Sequence, residues 1–357
     1  MLRSLYAGIS GMKANQVKLD VIGNNIANVG TTSFKGSRVR FQDMVSQSMS
    51  QALAPGASQG GINPRQVGLG VQVAGIDTLV GQGGMQPTSR NLDVAMDGEG
   101  YLMVAKGKTP LTNADGVGVD PTEHTANAPS GTDLFYTRDG ALTLDKEGNL
   151  LNSDGLRVLG YAISEVDDKP SLDYDVTKST TTPPKSPTLN YVNADSTTLK
   201  PSGTLIPLVI PEKIFVLGDA NAVPPTSDGD VRVKTFSIEK DGVVKAILEG
   251  GKVAILGQIA VASFKNPGGL SKVGGNIYQN TSNSGAPIVR TGKNTDKAVP
   301  DNSAGYGDML QGMLEMSNVD LAEQFTDMII ASRAFQAAGK TISTGDEILQ
   351  DIINLKR

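Results

Sequence analysis

Residues 1–35 read MLRSLYAGISGMKANQVKLDVIGNNIANVGTTSFK, and the organisation of the whole chain follows from this stretch. Leu2, Leu5, Ile9, Met12, Gln16, Leu19, Gly23 and Ile26 succeed one another at alternating steps of three and four, the spacing of a single seam along a helix. All but Gln16 and Gly23 are apolar. The run then enters Asn24-Asn25-Ile26-Ala27-Asn28-Val29-Gly30-Thr31-Thr32, whose Asn, Gly and Thr favour caps and turns. The spacing predicts a helix that stops there.

The same rhythm returns at the other end of the chain. Leu321, Phe325, Met328, Ser332, Phe335, Gly339, Ile342, Asp346, Leu349 and Ile353 alternate by threes and fours, and the sevenfold series Leu321, Met328, Phe335, Ile342, Leu349 is apolar throughout. Ser317-Asn318-Val319-Asp320 has the spacing of a capping box, and Asp320 and Glu323 suit the positive end of a helix dipole. Two seam-bearing helices therefore bracket the chain, and its ends are expected to meet. Burying one seam does not offset the entropy of ordering the first helix, so other surfaces are needed to cover it. Copies of the same chain are able to supply them.

With 357 residues, 38% of them hydrophobic, the chain is long enough for two or three packed units. Glycine is abundant at 42 residues and aromatics make up only 4%, a mixture that suits many turns and short strands. The net charge is −5 and no basic block is present, which argues against nucleic-acid binding. Cysteine is absent and His124 is the sole histidine, so disulfides, thiolate chemistry and most metal chemistry lack their parts. No cofactor is expected. The amino terminus lacks the continuous apolar core of a cleaved secretory signal, and no apolar run is long enough for a membrane span.

Between the helices, residues 35–70 are dominated by Ser, Gln, Gly and Met and read as an extended connector of low intrinsic order. Strand patterns begin at Val71, Val73 and Ile76, continue through Tyr101-Leu102-Met103-Val104-Ala105, and return at Leu205–Ile210 and Val253–Phe264. Residues 107–132 and 165–230 read as surface insertions rich in Asp, Thr, Ser and Pro, the second large enough for a small subdomain. Gly68-Leu69-Gly70 and Gly81-Gln82-Gly83-Gly84 complete no phosphate-binding motif and read as turns. Asp97-Gly98-Glu99-Gly100 and Asp145-Lys146-Glu147-Gly148-Asn149 cluster carboxylates as calcium loops do, but Asp145 has no Glu at the twelfth position, so hairpin turns are expected. His124 lies in a polar stretch and is expected to be solvated.

Several short motifs resemble those of the rod and hook proteins that form the axis of the bacterial flagellum, the hook subunits most of all. They are Leu5-Tyr6-Ala7-Gly8-Ile9-Ser10-Gly11-Met12, Leu19-Asp20-Val21-Ile22-Gly23-Asn24-Asn25-Ile26-Ala27-Asn28, Phe34-Lys35, Leu92–Tyr101, Tyr136-Thr137-Arg138-Asp139-Gly140, Leu314–Leu321 and Asp346-Glu347-Ile348-Leu349-Gln350. Ser33 stands where the family has Gly, a residue better suited to a left-handed turn.

The resemblance implies a helical tube with the terminal helices inside and β domains outside. It also implies export through the flagellar type III apparatus without signal cleavage, and an extracellular place in the flagellum. Partners would be further copies of the chain and the rod, hook-cap and hook–filament junction proteins. Phe41 and Val45 match the family's short Phe-x-x-x-apolar export element; on the residues alone, an apolar anchor within the connector is an equal reading.

The expected fold class is α+β: a β-rich central domain with long N- and C-terminal helices paired as a coiled-coil-like rod. Residues 1–34 and 317–357 would form the helical assembly domain, 35–70 the connector and 71–316 the outer domain. The assembly seam is assigned to Leu2, Leu5, Ile9, Met12, Leu19, Ile26, Leu321, Phe325, Met328, Phe335, Ile342, Leu349 and Ile353. The functional expectation is a structural subunit of the hook, which chain length favours, with the distal rod subunit as the alternative. A hydrolytic enzyme on a β scaffold is the rival class, and no triad or paired-carboxylate constellation stands out for it.

Overall fold

A computed structural model describes residues 2–56, 60–107, 116–120, 124–129, 131–165, 171–173, 188–196, 199–216, 229–290 and 307–355. The chain divides into two compact units, Met1–Gly81 together with Ser317–Arg357, and Gln82–Met316.

The first unit holds two helices, α1 (Leu2–Ala27) and α2 (Leu321–Leu355). Asp320 caps α2, its Oδ1 accepting the Ala322 N–H at 2.8 Å. The cap expected from Ser317-x-x-Asp320 therefore sits three residues later, and Ser317 Oγ accepts instead from Val319 N. Past α1, Asn28 donates to Asn24 O and accepts from Thr31 Oγ1. Ser33 takes the left-handed conformation at φ 55° in a buried position, so the turn forms without glycine.

The helices run antiparallel. A Cβ placed on Gly345 would stand 3.0 Å from Leu5 Cδ2, and one on Gly8 would stand 2.9 Å from Thr341 Oγ1 and 3.0 Å from Ile342 Cγ1. Towards the other end, Lys18 pairs with Asp327 at 3.3 Å and Asn25 Nδ2 donates to Gln324 Oε1 at 3.0 Å. The missing side chains of Gly8 and Gly345 let the two backbones approach.

The residues read as a connector are organised as a β-ribbon. Ser37–Asp43 pairs antiparallel with Val71–Thr78, and Ser46–Ser50 with Arg65–Gly68. A Met44 N–H to Gly70 O bond links the two segments, and a Leu53–Ile62 bridge extends the ladder. Val71–Thr78, read from sequence as the first strand of the outer domain, thus belongs to the first unit. Arg40 Nε, 2.6 Å from Asp77 Oδ2, ties the two arms, and Ser10 Oγ of α1 accepts the Val71 N–H. Ser- and Gln-rich composition hid the ribbon because main-chain pairing needs no particular side chain.

The second unit is β-rich. Its main antiparallel path runs Lys213–Val216, Gly229–Ile238, Val243–Leu248, Val253–Ile259, Arg157–Glu165, Tyr101–Gly107, Thr132–Thr137, Ile277–Gln279 and Ser271–Gly274. Met103, Val104, Leu142, Leu150, Val158, Leu159, Leu205 and Ile206 are fully enclosed in its interior. Tyr101, Tyr136 and Tyr278 cluster with Phe264 in edge-on packing, the Tyr136–Phe264 centroids 4.8 Å apart.

Part of the second predicted insertion is core structure: Leu199–Pro207 pairs with Arg157–Glu165. Residues 108–115, 121–123, 166–170, 174–187 and 217–228, which carry much of both insertions, lie outside the described residues. Asp145–Asn149 is a tight turn in which Asp145 Oδ1 accepts from Glu147 N and Asn149 N, each at 2.8 Å. His124 is buried at φ 55°, contrary to the solvated loop expected, because its backbone bonds both Asp120 O and Val289 N.

Candidate assembly surface

The first unit carries the features that bear on function, and α1 sets their layout. Leu5, Met12, Leu19 and Ile26 are half-buried and Ala14 and Ile22 are buried, whereas Ile9, Gln16 and Gly23 are exposed. The covered line therefore runs through Leu5, Gly8, Met12, Asn15, Leu19, Ile22 and Ile26, one residue ahead of the expected seam at every second position. The burial of the Leu2 side chain is not among the described features. Tyr6, Ile9, Lys13, Gln16 and Asp20 form an outward row of the same period.

On α2 the buried positions are Ala331 and Gly345, and Ala338 stands beside Gly8 and Gly11. Met328, Ile342 and Leu349 are half-buried at the flanks of this small-residue line. The larger apolar side chains face outward: Leu321, Phe325 (50% exposed), Ile329 (62%), Ile330, Phe335, Ile348, Ile352 and Ile353 (67%). The structure thus brings Leu5 and Met12 against Gly345 and Gly339 of α2, half-buries Leu19 and Ile26, and leaves Ile9, Leu321, Phe325, Phe335 and Ile353 exposed among the described residues. Isolated exposed apolar residues are ordinary, but successive ones along a helix form a patch that water does not favour.

The ribbon repeats the theme. Met44, Val45, Met49, Leu53, Ile62 and Val67 are all exposed on a two-stranded element, and such an element is at best marginally stable without cover. Phe41 sits at a bulge between Arg40 and Phe41, opposite Val73, and Val45 is 79% exposed just beyond it.

A polar junction ties helices to ribbon. Asn25, buried near the end of α1, accepts the Ser37 N–H at 3.0 Å on Oδ1 and donates to Ser37 O at 2.8 Å, pairing with the first ribbon residue as a neighbouring strand would. Asn318 Oδ1 accepts the Gly36 N–H at 2.9 Å, while its Nδ2 donates to Leu79 O and Gly81 O. Lys35 is fully enclosed and donates to Gly81 O at 2.9 Å. Both side-chain amides use donor and acceptor ends together, which neither Asp nor Leu can do. Asn25, Lys35 and Asn318 lie within motifs visible in the sequence, but contacts that span up to 299 residues left no mark in local spacing.

Among the described residues, no group of three or more His, Cys, Asp or Glu stands together as metal ligands would, and no helix is long and apolar enough to cross a membrane. In the second unit a surface groove of about 540 Å³ runs along Ile238–Asp241 and Met309–Gln311. Its Glu239 is held by Lys245 at 2.5 Å.

Comparison with known proteins places these features. Residues 5–35 match the family described as flagella basal body rod protein, residues 125–246 the flagellar hook protein FlgE/F/G D1 domain, and residues 310–355 the flagellar basal body rod FlgEFG protein C-terminal family. The chain is 37% identical to the flagellar basal-body rod protein FlgG of Bacillus subtilis, over all of both chains. It is 33% identical to the flagellar hook protein FlgE of Borreliella burgdorferi, again over all of both. The Helicobacter pylori flagellar hook protein FlgE2 covers 65% of this chain with all of its own, at 11% identity and a TM-score of 0.37. The matched segments include α1, the polar junction and α2, and on the full-length identities the chain belongs to the flagellar rod and hook protein family.

Proposed function

We propose that the chain is a structural subunit of the flagellar hook, polymerising into the tubular joint that passes torque from rod to filament. The observation that carries this reading is the outward apolar row of α2, joined on α1 by Tyr6 and Ile9, which the described residues leave exposed, in a chain of the rod and hook family. In a helical polymer the cover comes from neighbouring copies through a heterologous contact that does not close on itself. The exposed ribbon gains the same cover, and the assembly seam extends from Leu5, Met12, Leu19 and Ile26 within the chain to Ile9, Phe325, Phe335 and Ile353 between chains. The contacting partners at the tube's ends are rod, hook-cap and hook–filament junction proteins. The subunit reaches its place outside the cell through the type III apparatus, with Phe41 and Val45 as the export element.

A second reading, a distal rod subunit, is favoured by the 37% identity to a rod protein. The two differ in the mechanics of the same tube: a curved, compliant joint or a straight shaft. The test is a deletion strain imaged by electron cryotomography. A basal body that ends at a complete rod without a hook supports the hook reading, and one truncated within the rod supports the alternative. Complete rods and hooks in that strain would overturn both.

A further inference from the structure

The second unit is a single continuous segment, Gln82–Met316, so the covalent path between the units crosses twice, just before Gln82 and just after Met316. Immediately inside those crossings the two strands pair antiparallel, Met85 with Glu315, Gln86 with Leu314 and Pro87 with Met313. A Met316 N–H to Gly84 O bond at 2.8 Å lies outermost. Tension applied at the two crossings pulls neighbouring strand ends apart from the same side, so the ladder is loaded one bond at a time from Met316 inward. A three-residue ribbon opened in this way resists weakly.

The second pair to be loaded contains Glu315, and Glu315 is tied far more firmly than a strand residue. Its side chain is fully buried, and its Oε2 accepts from Arg138 Nε at 2.8 Å, with Arg138 itself only 3% exposed. Its Oε1 accepts the Gly83 N–H of the opposite strand at 2.9 Å. Arg138 is held in turn by three carbonyls of one turn: Nη1 donates to Gly100 O at 3.1 Å, and Nη2 to Met96 O at 3.1 Å and Gly98 O at 2.8 Å. It follows directly on Thr132–Thr137, a strand inside the main sheet, and its guanidinium lies 6.0 Å from the centroid of the Tyr101 ring. Both strands of the neck thus converge on one carboxylate, which one buried guanidinium anchors to the centre of the sheet. Charge-assisted bonds shielded from water are stronger than neutral ones and reinforce one another.

We propose that Arg138 and Glu315 form a mechanical clamp that stops the neck of the β unit from unzipping under tension and hands the load to the main sheet. The clamp rests on the reading of the chain as a load-carrying subunit for its use, but its mechanics are a property of the single chain. It assigns to Glu315 and Arg138 a role in resisting force, which is read separately from thermal stability.

The test is single-molecule force spectroscopy of the full-length chain. The natural sequence contains no cysteine, so Gly81→Cys and Ser317→Cys provide unique handles at the two crossings; a side chain at Gly81 meets nothing within 4 Å. At constant force, Glu315→Gln and Arg138→Lys are each expected to speed the first rupture by at least about tenfold, because Gln removes one charge of the buried pair and Lys lacks the fork of donors that reaches Glu315, Met96, Gly98 and Gly100 together. Arg138→Met with Glu315→Met, which takes the side-chain partners from the Gly83 N–H and from the Met96, Gly98 and Gly100 carbonyls, is likewise expected to speed the first rupture. Leu172→Ala, a core cavity away from the neck, is expected to lower the melting temperature and leave the first rupture unchanged. The proposal is overturned if Glu315→Gln and Arg138→Lys rupture at the natural rate, or if Leu172→Ala, at a fully buried core position, speeds the first rupture as much as they do. If Glu315→Gln fails to fold, Arg138→Lys, which keeps the charge, gives the reading. None of these outcomes depends on whether the chain polymerises, which microscopy of assembled tubes reads separately.

Discussion

The two units solve the burial problem in opposite ways. The β unit wraps Met103, Leu142, Leu150 and Leu205 completely, whereas the first unit encloses only Gly8, Ala14, Ile22, Ala331 and Gly345 among the small and apolar residues of its helices and leaves Phe325, Ile329, Ile330 and Ile353 exposed. Small side chains where the helices touch bring the backbones close but remove little apolar area from water. Larger ones on the outside hold most of the area that burial would use. One unit therefore covers its large apolar side chains, and the other leaves many of them exposed. The comparison teaches that an amphipathic seam read as apolar spacing marks the largest side chains, and these need not be the ones covered within the chain.

The sharpest way to break this contrast is to charge the outward rows. Ile9→Asp and Phe335→Asp are each expected to abolish polymerisation, read by sedimentation and negative-stain microscopy, while the β unit keeps its denaturation midpoint. Seven of the eight tyrosines lie in that unit and the chain has no Trp, so tyrosine fluorescence reports its unfolding. A fall in that midpoint would place the helices inside the β core. Next in size, Met103→Ala is expected to cost the β unit about 2–5 kcal/mol in urea titration. Ile329→Ala, on the exposed face of α2, is expected to stay within about 0.5 kcal/mol in the unassembled chain.

A smaller effect probes the junction. Asn25→Asp removes the donor to Ser37 O and sets a carboxylate against it, and is expected to destabilise the first unit by about 1–3 kcal/mol. Amide hydrogen exchange would show faster opening in α1 and in Ser37–Asp43 together, with the β unit unaffected. Exchange that rises in α1 alone would mean that the junction does not couple helix to ribbon.

The mildest concerns alkaline pH. Burial, opposed by the Arg138 charge, pushes the Tyr101 hydroxyl up from 10.0 to about 12, and burial likewise raises Tyr136 and Tyr278. Because the folded state holds these protons more tightly than the unfolded chain, their contribution is complete below pH 10; that of Tyr101 is lost as pH rises through about 12, and those of Tyr136 and Tyr278 at higher pH still. The β unit is expected to weaken over that window, and Tyr101→Phe to flatten the dependence.

What was legible in the sequence follows the physical origin of each feature. Helix boundaries were legible because period and cap chemistry are local, and α1 ends at Ala27, within the Asn-rich turn expected to stop it. Alternate seam positions fell one residue away, since Gly8, Ala331 and Gly345 carry no apolar bulk to mark the closest approach of the backbones. The ribbon at Ser37–Thr78 was hidden because its order comes from main-chain pairing between residues of weak strand preference. Asn25, Lys35, Asn318, Arg138 and Glu315 all lay in motifs that could be quoted. Their roles come from partners far away in sequence, which no window along the chain brings together.

The central claim is that the outward rows of α1 and α2 are surfaces between copies. A helical reconstruction of the assembled tube tests it most directly. The account predicts Ile9, Phe325, Ile329 and Phe335 buried against helices of neighbouring subunits. A tube in which those side chains face solvent, with copies touching only through their β units, would contradict it.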